Sequence, residues 1–192
     1  MNEETITLKY FIADGARMNT KINDFSVYNA NPHSVFSGTD DEPISEVGPF
    51  LVEVAGNKSV IEWLLNEGKG DSWGVFFNSN ADFKTLFAHL QKLVTVVDEE
   101  GREMYFRYYD PRVIKLFLPT CDEKQLSEFF GPITEFYAED LNGDQYLTFF
   151  LTGNKLVTRS FSITNESDNI IKNERFKKET NDFNFDDPIT IV

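Results

Sequence analysis

The sequence predicts an α/β fold in which a mixed β-sheet is flanked by helices and a smaller C-terminal lobe contains a β-hairpin. Three observations lead to this fold class. The chain opens with a strand-like alternation, carries a strongly amphipathic helix near its middle, and has two pairs of strand-like segments separated by turn residues. Strands that alternate with helices are typical of a sheet covered by helices.

The first part of the chain contains two strand patterns. Apolar side chains occur at every second position from Thr5 to Ala13, and this pattern ends at Asp14-Gly15. A second apolar run, Phe50 to Val54, follows Gly48-Pro49 and predicts another strand.

A helix is predicted over residues 59–67, where apolar residues recur at helical spacing. Ser59 and Glu62 have the spacing of a capping box, and Gly68 is placed to end the helix. The aromatic and β-branched residues of segment 72–78 then predict a buried strand.

The strongest periodicity predicts a helix that begins near Phe83. Its apolar stripe follows the i, i+3, i+4, i+7 pattern, and Ser79 and Asp82 precede it at capping-box spacing. The stripe consists of Phe83, Leu86, Phe87, Leu90, Leu93 and Val94.

A hairpin is predicted after this helix. Strands over residues 95–97 and 104–109 flank the acidic connection 98–101. Alternation along the second strand places Arg107 and Tyr109 on the same face.

Two further helices are predicted by their starting residues. Pro111 limits continuation of the preceding strand and can begin a helix. Thr120 and Glu123 are spaced to cap another short helix, which Gly131-Pro132 closes.

The character of the chain changes near residue 138, where we predict a boundary between an N-terminal domain, 1–138, and a C-terminal lobe, 139–192. Residues 146–151 and 155–163 predict a hairpin within that lobe. The polar tail that follows, with its isolated Ile and Phe residues, is interpreted as a disordered end or a segment that orders on a partner.

The net charge argues against two classes of partner. The chain carries 32 acidic and 18 basic residues, a formal charge of -14. Such a charge repels nucleic acid and anionic lipid at long range. The basic residues between 172 and 178 are interrupted by Glu174, so they are interpreted as a solvated face rather than a phosphate site.

The sequence suggests a cytoplasmic protein. No basic segment leads into an apolar stretch near the N-terminus, and no run of about 18 apolar residues predicts a membrane span. Cys121 is the only cysteine, so the chain has no internal disulfide. Neighbouring acids tend to raise its thiol pKa, whereas the predicted helix N-terminus tends to lower it. A structural cysteine is favoured over a nucleophile, because nothing identifies a base to activate the thiol.

No metal or cofactor site is predicted. Residues 140–144 alternate oxygen side chains as calcium loops do, but Gln145 and Leu151 occupy the positions that need Gly and a bidentate Glu. A turn between strands is the favoured interpretation. His33 and His89 are far apart in sequence, and neither has a second His or Cys at a metal-ligand spacing.

Asp14 and Asp110 end two predicted strands, where two carboxylates could form a glycosidase-like pair. Arg17, Arg107 and Arg112 lie close by in sequence and favour ion-paired structural carboxylates instead. We therefore expect Asp110 to cap the following helix and Arg107 or Arg112 to pair with Asp14. No catalytic residue is predicted.

An ordered series of short motifs carries a family resemblance over about residues 8–135. The most specific motif contains Phe106, Arg107, Tyr109, Asp110, Pro111 and Arg112; the others are Tyr10 to Arg17, Val35 to Thr39, Val47 to Leu51, Trp63 to Leu65, Ser72-Trp73-Gly-Val75 and Phe129 to Pro132. The series resembles a domain family, long catalogued as of unknown function, that includes the type VI secretion effector chaperones called Tap or TEC adaptors.

The resemblance implies an adaptor without catalytic residues or cofactors. Its partners would be a cognate type VI effector and the VgrG spike protein or its PAAR tip protein, and the C-terminal lobe would be the cargo-specific part. An immunity protein or a secreted effector component stays open as an alternative, followed by an unrecognised hydrolase.

Overall fold

A computed structural model describes residues 4–97, 100–140, 143, 145–166 and 169–174. Its helices are α1 (Gly15–Met18), α2 (Lys58–Glu67), α3 (Phe83–Leu93), α4 (Pro111–Phe117) and α5 (Glu123–Phe130). Its strands are β1 (Glu4–Thr5), β2 (Tyr10–Asp14), β3 (His33–Ser34), β4 (Pro49–Glu53), β5 (Gly74–Ser79), β6 (Thr95–Val97), β7 (Glu103–Tyr105), β8 (Ile133–Glu139), β9 (Tyr146–Thr152), β10 (Lys155–Glu166) and β11 (Asn169–Glu174).

One large sheet organises the fold, with helices on its faces as the sequence predicts. Its strand order is β1-β11-β10-β9-β8-β5-β2-β4-β3, and β6 and β7 form a separate two-stranded sheet. Every strand pair in the described part of the chain is antiparallel, so the predicted mixed sheet contains no parallel neighbours there. The α2 crossover joins β4 to β5, which run parallel but are separated by the antiparallel β2.

Alternation along β2 divides the core into two halves. Tyr10 and Ile12 belong to a cluster that includes the buried faces of α3, α4 and α5. Phe11 and Ala13 belong to a second cluster, which includes the face of α2 that carries Trp63. Burial of one Phe or Leu side chain contributes about 1.5–3 kcal/mol to the free energy of unfolding. The helices on both faces bury such side chains, so both layers stabilise the sheet.

The strand predicted over residues 104–109 is wrong in its second half. β7 ends at Tyr105, and the Phe106 N–H then donates to the Val94 carbonyl oxygen at 2.8 Å. A turn follows, closed by the Asp110 N–H and the Arg107 carbonyl at 3.0 Å. Tyr108 and Tyr109 are consecutive and both belong to the same core cluster, whereas neighbouring side chains of a strand point to opposite faces.

Three helix caps differ from the predicted ones. Asn57 rather than Ser59 caps α2, since its side chain accepts from the Val60 N–H. Asp82 alone caps α3. The capping box of α5 is formed by Asp122 and Gln125, two residues after the predicted pair Thr120 and Glu123.

The predicted C-terminal hairpin is present as β9 and β10, and both strands belong to the large sheet. Residue 138, the predicted boundary, lies inside β8. Phe149 packs in the same cluster as Phe136, and Phe161 packs in the second cluster. The scaffold of the described chain therefore continues past residue 138. No helix within the described ranges is long and apolar enough to cross a membrane.

Candidate functional site

The first buried carboxylate of the site ends β2. Asp14 caps α1 by accepting from the Arg17 N–H at 3.1 Å, and its own N–H donates to the Trp73 carbonyl at 2.7 Å. Its other carboxylate oxygen accepts from Arg107 Nη2. Asp14 is only 1% exposed, so these partners replace the water that it loses on folding.

The second buried carboxylate begins α4. Asp110 is 2% exposed and caps the helix by accepting from the Arg112 N–H at 2.9 Å. The guanidinium of Arg112 binds it through two bonds, Nε to Oδ1 at 2.9 Å and Nη2 to Oδ2 at 2.6 Å. Such bidentate pairs are the strongest class of ionic hydrogen bond in proteins.

Arg107 connects the two carboxylates. Its Nη2 contacts Asp14 and lies 3.7 Å from Asp110 Oδ2, so one guanidinium joins the end of β2 to the start of α4. The prediction that Asp110 caps a helix and that Arg107 pairs with Asp14 is confirmed. Arg112, the other candidate partner of Asp14, instead forms its ion pair with Asp110.

The ion pairs keep the site charged. Burial by itself raises the pKa of Asp110, but the hydrogen bonds from Arg112 and the charge of Arg107 outweigh burial, and the pKa is lowered. The hydrogen bond to Asp14 likewise raises the pKa of Arg107. The lowered pKa favours the ionised form of Asp110, which is the form that pairs with Arg112.

Aromatic residues fix the turn that carries Arg107. Phe106 packs edge-on against Phe117, with ring centroids 4.6 Å apart, and the Tyr108 hydroxyl donates to the Leu90 carbonyl at 3.2 Å. Burial and the charge of Asp14 raise the pKa of Tyr109 to about 12. The predicted motif is therefore anchored in the core on one side and presents half-exposed arginines on the other.

Arg17 and Trp73 lie beside this cluster and hold the loop before β5. Arg17 donates from Nε and Nη2 to the Asp71 carbonyl at 3.0 and 2.5 Å, so its guanidinium binds backbone rather than a carboxylate. Trp73 packs against Trp63 with ring centroids 5.4 Å apart. Both residues thus stabilise the same loop.

Glu139 is a further buried acid that the sequence analysis did not identify. It accepts from the N–H groups of Gly70 and Ser72 at 2.9 and 2.7 Å, and burial raises its pKa in spite of these bonds. Ser72 has a positive φ of 55°, a conformation that this acid helps to hold. No local motif indicates this contact, because the partners lie almost 70 residues apart.

The remaining candidate groups are dispersed. His89 forms a 2.9 Å hydrogen bond with the Phe129 carbonyl, whereas the His33 ring packs against Phe83. Burial and the neighbouring Asp122 raise the pKa of Cys121 to about 12, in the predicted direction. Across the described side chains, no three or more His, Cys, Asp or Glu residues are grouped to hold a metal ion.

Some predictions concern residues outside the described part of the chain. The acidic connection at 98–99, most of the calcium-like loop at 141, 142 and 144, and the tail from 175 to 192 are among them. The Lys172 side chain also lies outside that part.

Comparison with known proteins gives one family. A family model described as Domain of unknown function (DUF4123) matches residues 9–128. Searches of curated proteins and of solved structures found no match. The matched segment contains both buried aspartates and all three arginines of the site.

Proposed function

Since the chain belongs to the DUF4123 family, we propose that it is an adaptor chaperone of type VI secretion. In this role it binds a cognate effector and helps to load it onto the VgrG spike or its PAAR tip. The observation that carries the proposal is the ordered motif series, whose span of about 8–135 contains the family match over residues 9–128.

The geometry of the motif supports a binding role for the protein as a whole. Asp14, Arg107 and Asp110 join a strand end to a helix start. With Arg112 on Asp110, the two carboxylates are balanced by two guanidinium groups. These residues therefore act as a scaffold that fixes the surrounding surface. An adaptor needs such a fixed surface, because partner binding is weakened when the interface must first be ordered.

The extent of the family match suggests which part of the chain is shared by the family and which part recognises the cognate effector. Residues 129–192 lie outside the match, although β8, β9 and β10 continue the sheet. We assign cargo specificity to the C-terminal lobe within this part, from residue 139 onward. The shared segment then carries the interactions that adaptors of this family have in common.

A secretion assay tests the proposed function. Deleting the gene should abolish export of one effector and leave assembly of the secretion machine and export of other effectors unchanged. Complementation with the wild-type chain should restore that effector, and the purified pair should elute as one complex in size-exclusion chromatography. Simultaneous loss of all effectors would instead identify a component of the machine itself.

A further inference from the structure

A groove lies next to α1, between the 3-10 helical segment 19–28 and the chain that enters β4. It encloses about 490 Å³. Its apolar side is formed by Val47 and Phe50 together with Ile22, and Glu46 lies on its rim. Gly15 also lines the groove, and a Cβ atom there would lie 2.7 Å from the Gly48 carbonyl oxygen and from the Phe50 ring. The absence of a side chain at position 15 thus lets segment 46–50 pack closely against the start of α1.

Two apolar side chains of the turn that leads into this groove are exposed. Val47 is 55% exposed, and Ile44, three residues earlier, is 40% exposed. The Val47 N–H donates to the Ile44 carbonyl at 3.1 Å, so the two residues belong to one turn. Exposed apolar groups beside a concavity are a common feature of protein interaction sites.

The same turn is acidic and has almost no internal counter-charge. Segment 40–47 contains four acidic residues and no Lys or Arg. Glu42 and Glu46 form no ion pair with any described residue, and Asp41 accepts a hydrogen bond from the Tyr105 hydroxyl at 2.5 Å. The lysine in the facing 3-10 segment, Lys21, is already paired with Glu67 at 2.8 Å.

We infer that the groove and the turn 42–47 form a docking surface for a protein segment that combines Lys or Arg with apolar side chains. The apolar side chains would enter the groove beside Val47, and the cations would pair with Glu42 and Glu46. This inference rests on the proposed adaptor function and adds the position and chemistry of one partner contact. The negative charges of Glu42 and Glu46 favour a cationic protein segment as the occupant, because carboxylates without a cation repel phosphate chains and anionic headgroups.

Peptide binding to the full-length protein tests the surface directly. The probe is a labelled 16-residue peptide of alternating Lys and Leu, and its matched control replaces every Lys by Glu. Binding is measured by fluorescence anisotropy at low and high salt, and amide chemical shifts locate the bound peptide. We expect the Lys peptide to shift amides of residues 15–23 and 42–50 and the Glu peptide to leave them unchanged.

Two double variants separate the apolar and ionic parts. Ile44→Ser with Val47→Ser should weaken binding of the Lys peptide about tenfold or more, since anchors in a groove dominate affinity. Glu42→Gln with Glu46→Gln should weaken it less at low salt and reduce its salt dependence. The controls are Val27→Ser, which is exposed elsewhere, and Glu53→Gln, which lies at the opposite end of β4.

The outcomes distinguish this inference from the adaptor function. Unchanged affinity in both double variants, shifts confined to other surfaces, or no binding of the Lys peptide would each overturn the docking surface. None of these results depends on secretion. Loss of export of one effector on gene deletion would still support the adaptor, whereas a positive peptide result without any effector phenotype would reject the adaptor and retain the surface.

Discussion

The buried cluster at the end of β2 and the exposed turn 42–47 both contain carboxylates, but the two sets of carboxylates lie in opposite environments. In the cluster, Asp14 and Asp110 are buried and each binds an arginine. In the turn, Glu42 and Glu46 face solvent without an ion pair to any described residue. Buried carboxylates must be paired within the chain, whereas exposed carboxylates keep their water and stay available to a partner.

This contrast assigns stability to the first region and binding to the second. Side-chain exposures of 42% and 47% for Arg107 and Arg112 do not make the cluster a second binding surface, because both cations already contact buried carboxylates. Variants in the cluster should therefore change the free energy of unfolding. Variants in the turn should change partner affinity while the free energy of unfolding stays nearly constant.

Truncation should have the largest effect on stability, because the large sheet that supports both regions includes β9 and β10. A chain that ends at residue 138 loses Phe149 and Phe161 from the two core clusters and leaves β8 as an unpaired edge. We expect no cooperative thermal transition, measured by calorimetry. A chain that ends at Glu174 is the control, since it keeps all the strands that the structure describes. A cooperative transition in the 1–138 fragment would instead support the boundary predicted from sequence.

Arg107→Ala should destabilise the protein by about 3 kcal/mol, because it leaves the carboxylate of Asp14 buried without its cation. Urea denaturation of the purified protein measures this change. Arg102→Ala is the matched control: Arg102 pairs with Glu100 at 3.0 Å on an exposed hairpin, and its loss should cost less than about 1 kcal/mol. Equal losses for the two variants would contradict the structural role of the cluster.

Asp110→Asn should give a smaller, pH-dependent loss of about 1–3 kcal/mol, since Asn still caps α4 but has no charge for Arg112. The native pKa of Asp110 is lowered, so its ionised form stabilises the fold above the unfolded pKa near 4. That contribution is lost as the pH falls through the native pKa. Unfolding curves from pH 7 downward should therefore show the wild type and Asp110→Asn converging below about pH 4. A constant difference across this range would show that the charge of Asp110 contributes nothing.

The double variant Ile44→Ser with Val47→Ser should have the smallest effect on folding, within about 0.5 kcal/mol, because both side chains are exposed. Thermal unfolding measured beside the peptide titrations checks this. A destabilisation comparable to that of Arg107→Ala would show that the turn belongs to the scaffold, and the contrast between the two regions would fail.

Local patterns alone predicted a substantial part of this protein. The stripe from Phe83 to Val94 gave α3, the Asp110-Pro111 sequence gave the start of α4, and the segments around residue 153 gave the β9–β10 hairpin. These elements depend on side-chain periodicity, on caps and on turn residues within a few positions. Pairing of Asp14 with Arg107 or Arg112 was also predicted, and the structure selects Arg107.

Contacts between distant segments were decided only by the tertiary structure. The sequence analysis missed Glu139, because its two N–H donors lie in the loop before β5, far away in the chain. It also predicted a strand up to residue 109, whereas the chain leaves β7 after Tyr105 and turns so that Tyr108 and Tyr109 both enter the same core cluster. The groove beside Val47 likewise exists only once β2 and β4 pair and bring Gly15 against Gly48. Periodicity and capping report on a residue's near neighbours in the chain, whereas burial, ion pairing and concavity depend on which distant segments fold against it.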